Sequence, residues 1–157
     1  MLKEGQGRVV FWGTAQLIMM VVWVICLILG ERFYLTPPLL YIVDGTGVLL
    51  VACGLTLAVL GGYELGDQLG AVADEDEQDF VTTGIFQKVR HPIHGGLLLA
   101  MIGLTLVYAS TTGLLMVIVI ASFFYAKSLH DEVRLIRRFP DYQPYATRTQ
   151  RFVPFIW

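Results

Sequence analysis

The sequence is poor in charge. Only 15% of its 157 residues are Asp, Glu, Lys or Arg, whereas 55% are hydrophobic. A soluble domain carries about 25% charged residues, so this composition argues against a water-soluble globular protein. The mean hydropathy of +0.64 indicates a protein whose solvent is the lipid bilayer. The net charge of −2 says little about partners, and no nucleic-acid partner is predicted.

Cysteines and cleavage signals are also scarce. The two cysteines, Cys26 and Cys53, lie inside apolar runs, without metal-ligand spacing or a disulfide-rich context. We therefore predict buried thiols that act as small hydrophobic side chains. The first apolar run is long enough to span a membrane, and no small-residue cleavage site follows it. This pattern predicts a retained helix rather than a signal peptide.

Long apolar runs dominate what is present. The first extends from Phe11 to Leu29 and the second from about Leu39 to Leu60. A third stretch, Gly95 to Tyr125, is interrupted at residues 108–113, which predicts two helices in a tight hairpin. Each helix of this hairpin would be shorter than the roughly 20 residues that a transmembrane span needs. Helix-forming residues nevertheless continue after the second apolar half until Pro140. We therefore predict an all-α integral membrane protein with about four transmembrane helices, in which the second hairpin helix extends into the cytoplasm.

These boundaries define a single membrane-embedded domain over 1–157. It has two N-terminal spans over 1–62, a cytoplasmic loop over 63–83 that is acidic at 74–79, and a third part over 84–157. The third part comprises a polar motif, the hairpin and a C-terminal segment. Three glycines at spacing four, Gly62, Gly66 and Gly70, would let another helix approach closely or would form a flexible exit from the membrane.

Basic residues predict the orientation. With four spans, ten of the eleven Lys and Arg residues fall on one side of the membrane, and only Arg32 falls on the other. Cytoplasmic loops are enriched in Lys and Arg. Both termini, the acidic loop and the polar motif are therefore predicted to be cytoplasmic.

The polar motif covers residues 84–96, Gly-Ile-Phe-Gln-Lys-Val-Arg-His-Pro-Ile-His-Gly-Gly. Arg90 supplies a permanent planar fork of donors, His91 can donate, accept or carry charge, and Pro92 suits the first turn of a helix. A helix that starts near Pro92 would point its N–H groups and its positive dipole end towards a group held by Arg90 and His91. An anionic ligand is therefore predicted here.

A second polar cluster follows the last apolar run. His130, Asp131 and Glu132 lie on the predicted continuation of the same helix. The predicted topology brings the two acids level with Arg90 and His91, at the boundary of membrane and cytoplasm. A basic cluster opposite a carboxylate pair would suit a zwitterion such as an amino acid, and spacing alone supports nothing more specific.

Together the two clusters resemble a known superfamily. The first motif is Gly84-x-Phe86-x-x-Val89-Arg90-His91-Pro92-x-x-x-Gly96. After the hairpin follow Asp131-Glu132-x-x-Leu135-x-x-x-Phe139-x-x-Tyr142-x-x-Tyr145 and Arg151-x-x-Pro154. In this order and at this separation, the motifs resemble the isoprenylcysteine carboxyl methyltransferase and phospholipid methyltransferase superfamily, integral membrane enzymes that use S-adenosylmethionine. The resemblance covers residues 81–154, whereas the first two spans agree with the superfamily only in being hydrophobic.

The resemblance implies a set of site residues. Arg90, His91 and Glu132 are implied in catalysis. The first two would bind the cofactor carboxylate or orient the methyl donor, and Glu132 would bind the cofactor ammonium, alone or through a neighbour. Tyr142 or Tyr145 would flank the adenine. The implied cofactor-binding set is Arg90, His91, Pro92, His94, Gly96, Asp131, Glu132, Tyr142 and Tyr145. Two positions depart from the superfamily pattern, which usually has a tyrosine where this chain has His94 and a glutamate where it has Asp131.

The implied activity is methyl transfer to a lipophilic or membrane-associated acceptor. A prenylcysteine-like carboxylate, a lipid headgroup and a small thiol all remain open, and membrane lipids are predicted partners. Transfer needs an in-line nucleophile in a pocket with little water, and no covalent enzyme intermediate. An amine acceptor would first have to lose a proton, for which His91, His94 and His130 are candidate bases.

Two functions from other classes also fit the residues. A metal site could use imidazoles and carboxylates that the two clusters contain, although no metal is predicted because Pro92 disturbs the helical register between His91 and His94. Alternatively, a non-catalytic membrane module could use the polar motif to clamp a lipid headgroup or a partner. Tyr142 and Tyr145, with Phe152 and Trp157, also suit an aromatic belt at the membrane surface, which is the more common role of such residues.

Overall fold

The chain folds into a bundle of helices. A computed structural model describes residues 2–71 and 80–154, with side chains described for 10–67 and 80–154. The described ranges hold two isolated β-bridges and no strand, which confirms the predicted all-α fold. The predicted acidic stretch at 74–79 lies outside the described residues. The helices are α1 Leu2–Leu29, α2 Leu39–Ala71, a 3₁₀ helix Gly84–Gln87, α3 Pro92–Val107, α4 Thr111–Arg138 and α5 Tyr142–Arg148.

Three of these helices are long and apolar enough to cross a membrane. The candidate spans are Val10–Leu29 in α1, Leu39–Asp67 in α2 and Thr111–Arg138 in α4. The helix α3 is also apolar but has only 16 residues, which corresponds to about 24 Å. The hydrocarbon core of a bilayer is about 30 Å thick. The count of four spans therefore stays a prediction, with α3 as the short fourth helix.

The predicted hairpin of α3 and α4 is confirmed. Residues 108–110 join the two helices, and the Ser110 hydroxyl caps α4 by accepting a hydrogen bond from the Gly113 N–H at 3.0 Å. The helix α4 then continues for 28 residues, about 42 Å, and ends two residues before Pro140. Because this length exceeds the thickness of a hydrocarbon core, one end of α4 extends beyond it.

Polar contacts near the hairpin turn hold α1 against α3 and α4. The Trp23 indole donates to the Thr105 hydroxyl at 3.2 Å. The hydroxyls of Ser110 and Thr112 donate to the Cys26 carbonyl at 3.1 and 2.9 Å. Polar groups away from water need such partners within the protein. The buried core beside them joins the same three helices: Trp23, Leu27, Met101, Val117, Ile120 and Phe124.

Glycines at spacing seven bring α2 and α3 into backbone contact. A Cβ at Gly54 of α2 would lie 2.5 Å from the Ala100 nitrogen and 2.5 Å from the Gly96 oxygen of α3. Seven residues are close to two helical turns, so glycines at this spacing share one helix face. The glycines of this interface are Gly47, Gly54 and Gly61 on α2, and Gly96 and Gly103 on α3.

Two predictions are wrong, one about the glycine repeat of α2 and one about the two cysteines. Nothing lies within 4 Å of a Cβ at Gly62 or Gly66, so these glycines do not bring in another helix of this chain, and the side-chain position of Gly70 lies outside the described residues. Cys53 is exposed and Cys26 is half-buried. Cys53, Gly62 and Gly66 lie on the outer surface of α2, which does not contact the other described helices of the bundle.

Candidate functional site

The polar motif begins at a turn that ties it to α2. Gly84 adopts a φ of +50°, which glycine adopts without strain. The Glu64 carboxylate of α2 accepts the Ile85 N–H at 2.8 and 3.0 Å, and a Cβ at Gly84 would overlap that carboxylate. Glu64 therefore fixes the start of the 3₁₀ helix that leads to Arg90.

The C-terminal segment runs beside the residues that precede α3. The Arg90 N–H donates to the Gln150 carbonyl at 2.8 Å, and the Gln150 N–H donates to the Lys88 carbonyl at 2.8 Å. The His91 N–H donates to the Arg151 carbonyl at 2.9 Å. This pairing, which includes a parallel β-bridge, brings Arg151 next to Arg90 and His91.

The helix α3 begins at Pro92, as predicted, with His91 at its N-cap position. Pro92 is fully buried. A Cβ at Gly95 would lie 1.8 Å from the Phe152 carbonyl oxygen, so this glycine lets the C-terminal segment reach α3. Gly96 faces α2 instead. Pro92 lies against Gly61 of α2 and Gly96 against Gly54, so both residues position α3 against α2.

Glu132 lies at the centre of a cluster of cationic and imidazole groups. Its Oε1 accepts the Arg90 Nε–H at 3.0 Å and the Arg151 Nε–H at 3.2 Å, and lies 3.3 Å from the His91 Nε2. Its Oε2 accepts from the Arg151 Nη2 at 2.9 Å. Burial disfavours the charged form of Arg151, but hydrogen bonds to Glu132 and its negative charge raise the pKa of that guanidinium above its ordinary value. We call these four residues the Glu132 cluster.

Arg90 also anchors the end of α5. Its Nη1 donates to the Ala146 carbonyl at 2.6 Å, to the Thr149 carbonyl, and to the Thr149 hydroxyl at 3.2 Å. These carbonyls lie at the C-terminus of a helix, where positive charge is favourable. Arg90 thus joins the polar motif, Glu132 of α4 and the end of α5 in one buried contact, with its side chain 9% exposed.

A second, smaller group lies one turn earlier on α4. The Lys127 Nζ donates to the Asp131 Oδ2 at 3.2 Å and lies 3.5 Å from the His94 Nε2. The His94 ring packs edge-on against Phe124, with centroids 4.6 Å apart. Asp131 and Glu132, adjacent in sequence, therefore point to different partners because successive helical residues are about 100° apart.

Tyr142 and Tyr145 pack in an aromatic group with Phe80 and Phe139. The centroid of Phe80 lies 5.1 Å from that of Tyr142 and 5.4 Å from that of Tyr145, and the Tyr145 hydroxyl donates to the Phe86 carbonyl at 2.7 Å. Burial raises the pKa of Tyr145 to about 12 and also raises the pKa of Tyr142. Both phenols are therefore protonated at neutral pH.

An open cleft of about 300 Å³ lies between α4 and the end of α5. This volume is at the lower end of the range for small-molecule sites, about 300 to 1,000 Å³. The Arg151 guanidinium lies over the Tyr125 ring, 4.9 Å from its centroid. The residues that line the cleft are Arg90, Tyr125, Ala146, Thr149, Gln150 and Arg151.

The imidazoles and carboxylates of the metal alternative do not assemble; this alternative would use His91, His94, His130, Asp131 and Glu132. His130 packs against Trp12 of α1, with centroids 5.9 Å apart, on a different face of α4 from Glu132. The His91 and His94 rings are 6.0 Å apart. Within the described residues, no three His, Cys, Asp or Glu side chains converge as metal ligands do.

The sequence prediction missed three residues that organise the site. Arg151 was noted only as part of a motif, yet it makes two hydrogen bonds to Glu132. Glu64 caps the 3₁₀ helix, and Lys127 joins His94 to Asp131. Lys127 and Asp131 are four residues apart, a spacing that predicts an ion pair on a helix. No local pattern in the sequence predicts that Arg151 binds Glu132 or that Glu64 binds the Ile85 N–H.

Comparison with known proteins identifies the family. No curated protein and no solved structure matches the chain. A family model described as phospholipid methyltransferase matches residues 43–139, most of α2 and all of α3 and α4. The match covers more than half of the 157 residues and includes both polar clusters, though it ends before Tyr142 and Arg151. The chain therefore belongs to the phospholipid methyltransferase family of membrane methyltransferases.

Proposed function

We propose that this protein transfers a methyl group from S-adenosylmethionine to a lipophilic or membrane-associated acceptor. The observation that carries the proposal is the depth of the Glu132 cluster in the bundle. The helix α3, which begins beside it at Pro92, is about 24 Å long, and Glu132 lies about 32 Å along α4 from Thr111. The distance along α4 is close to the roughly 30 Å of a hydrocarbon core, whereas α3 is about 6 Å shorter, so a bilayer around the bundle would have this cluster near its edge.

The residues of the cluster suit the amino-acid end of this cofactor. A carboxylate offers about four acceptor positions. Arg90, His91 and Arg151 contact the Oε1 of Glu132, and among the residues that the structure describes only Arg151 is bonded to its Oε2. The remaining capacity of Oε2 would accept a hydrogen bond from the cofactor ammonium, while Arg90 and His91 would bind its carboxylate.

The other predicted cofactor residues have direct or supporting roles in this proposal. Pro92 and Gly96 would act by fixing the start of α3. His94 and Asp131 would line the acceptor side, next to Lys127. Tyr142 and Tyr145 would flank the adenine; Tyr145 is adjacent to Ala146 of the cleft wall.

Positioning and exclusion of water would account for most of the catalysis. When bound, S-adenosylmethionine supplies an electrophilic methyl group on a sulfonium. The chain would hold the cofactor at its charged end and keep the acceptor in line in a site with little water. For an amine acceptor, His94 or His91 would take up the proton that the amine must lose.

A cluster at the edge of the hydrocarbon core would favour an acceptor that arrives through the lipid. A headgroup, a prenylcysteine-like carboxylate or a membrane-dissolved thiol could each reach a cluster at the hydrocarbon edge without leaving the bilayer. The orientation that we propose is the one predicted from basic residues, with four spans and with both termini and the cluster on the cytoplasmic side.

Binding of S-adenosylhomocysteine to the detergent-purified protein tests the proposal. We expect micromolar affinity by isothermal titration for wild type and at least a tenfold loss for Glu132→Gln, which removes the charge but keeps the shape. Arg90→Lys, which keeps the charge but loses the planar fork, should also weaken binding. Glu31→Gln, exposed and two residues beyond the end of α1, is the matched control, and circular dichroism checks the fold of each variant.

A labelled-methyl assay with membrane extracts then identifies the acceptor. Transfer of label to a lipid-soluble product, lost in Glu132→Gln but not in Glu31→Gln, would support the proposed activity. Well-folded wild type that binds no S-adenosylhomocysteine would contradict it. Bound-lipid identification would then test the non-catalytic clamp instead.

A further inference from the structure

The Glu132 cluster carries more positive than negative charge. Arg90 and Arg151 are permanently charged, and Glu132 is the one carboxylate that contacts them among the described residues. Asp131 is paired with Lys127 instead. The side chains of Arg90, Arg151 and Glu132 are only 9%, 17% and 9% exposed. A buried guanidinium without full compensation is unfavourable, so one anionic group would complete the cluster.

The cleft offers a place for that group. Arg90 and Arg151 both line it, together with Thr149 and Gln150. Glu132 holds the Nε edge of Arg151 with two hydrogen bonds, and the guanidinium stacks over Tyr125. A guanidinium has five N–H donors in a fixed plane, and fixing one edge orients the others. Arg151 is thus a preorganised cation at the wall of a cavity.

The backbone around Arg151 is equally fixed. Its carbonyl accepts the His91 N–H at 2.9 Å, and the preceding Gln150 pairs with Lys88 and Arg90. The next residue, Phe152, is in contact with Gly95 of α3. The backbone of Arg151 is therefore held against the polar motif, although Arg151 lies beyond the residues that the family model matches.

We propose that Arg151 is a second cationic ligand, beside Arg90, for the carboxylate of S-adenosylmethionine in this cleft. This inference rests on the proposed function and adds a binding residue to it. Two guanidiniums can supply several charge-assisted donors to one carboxylate. Arg90 would contribute its Nη2, because its Nε and Nη1 already donate within the protein, and Arg151 would contribute the edge that Glu132 does not hold. A lipid phosphate has the same oxyanion chemistry, and the experiment below separates the two sources.

The test compares two ligands that differ only in the carboxylate. Isothermal titration measures the dissociation constants of S-adenosylmethionine and of decarboxylated S-adenosylmethionine for each variant. We expect wild type to prefer the carboxylate form at least tenfold, and Arg151→Gln to reduce that preference below threefold while leaving affinity for the decarboxylated ligand nearly unchanged. Arg151→Lys should give an intermediate preference. Arg148→Gln, an exposed arginine on α5, should behave as wild type.

Other results would overturn the inference. Equal weakening of both ligands in Arg151→Gln and Arg151→Lys would show that Arg151 only supports the fold. Arg151→Gln could instead keep the wild-type preference for the carboxylate form of the ligand. If a phosphate-bearing lipid then competes with ligand binding in wild type but not in Arg151→Gln, Arg151 binds a lipid phosphate and not the cofactor carboxylate. Wild type that binds both ligands equally would also refute it while leaving cofactor binding intact. Wild type that binds neither would contradict the proposed function itself.

Discussion

The helix α3 has two contact regions built from opposite chemistry. Towards α2 it presents glycines, and the backbones of Gly54 and Gly96 approach so closely that no side chain fits between them. At its N-terminus it meets the C-terminal segment through hydrogen bonds and ions, with Arg90, Glu132 and Arg151 in one cluster. The first region contains no charge, and the second is defined by it.

The difference separates what assembles the bundle from what can bind a ligand. Lipid tails are as apolar as helix surfaces, so close packing of small residues, rather than hydrophobic burial, holds membrane helices together. Such an interface is complete without a ligand. The charged region has an excess positive group and an adjacent cleft, so its chemistry is completed from outside.

The largest effect is expected from removing the shared carboxylate. Glu132→Ala leaves Arg90 and Arg151 buried without their counter-ion, which should lower the free energy of unfolding by about 3 to 5 kcal/mol. Asp131→Ala, the neighbouring acid in a more exposed ion pair with Lys127, should cost less than about 1 kcal/mol. Denaturant unfolding in mixed micelles, followed by circular dichroism, measures both. Equal losses would remove the distinction between the two acids.

The glycine interface should respond to a single methyl group. Gly54→Ala places a Cβ within 2.5 Å of α3 backbone atoms, and overpacking of this kind costs about 1 to 3 kcal/mol. Gly62→Ala is the matched control on the same helix, because its Cβ meets open space; the better helix propensity of alanine should make it neutral or slightly stabilising. Melting temperatures in detergent compare them, and a destabilised Gly62→Ala with a neutral Gly54→Ala would reverse the assignment.

Glu64 should affect the charged region from a distance. Glu64→Ala removes the acceptor of the Ile85 N–H at the turn before Arg90, with an expected loss of about 1.5 kcal/mol. Glu64→Gln retains an acceptor oxygen and should recover about half of that loss. Asp67→Ala, exposed one turn later on α2, is the control. The same melting measurements apply, and an identical loss in the alanine and glutamine variants would show that the charge, not the hydrogen bond, matters.

The smallest effect concerns alkaline pH. Burial raises the pKa of Tyr145 to about 12 and also raises the pKa of Tyr142. Because the folded state holds these protons more tightly than the unfolded state, with its ordinary pKa near 10, their contribution to stability is present below about pH 10 and is lost as pH rises towards 12. Tyr145→Phe should flatten this decline, measured by unfolding at several pH values. If the free energy of unfolding falls as steeply with pH in Tyr145→Phe as in wild type, Tyr145 is not the source of the decline.

Local patterns predicted the elements that frame the site. Pro92 fixed the start of α3, the polar residues 108–113 fixed the hairpin turn, and the absence of breakers before Pro140 fixed the length of α4. The motif resemblance is confirmed by the family match. The repeat Gly62, Gly66, Gly70 misled, because spacing alone shows that glycines share a face but not which face meets another helix.

The sequence by itself determined the apolar helices, the hairpin and the family, because each depends on composition, breakers or residues close together in the chain. Only the tertiary structure decided that Glu132 binds Arg151 as well as Arg90, and that Asp131 pairs with Lys127 instead. Those contacts depend on how the C-terminal segment returns to α3 and on the rotation of α4. Both are set by long-range packing, which no local pattern records.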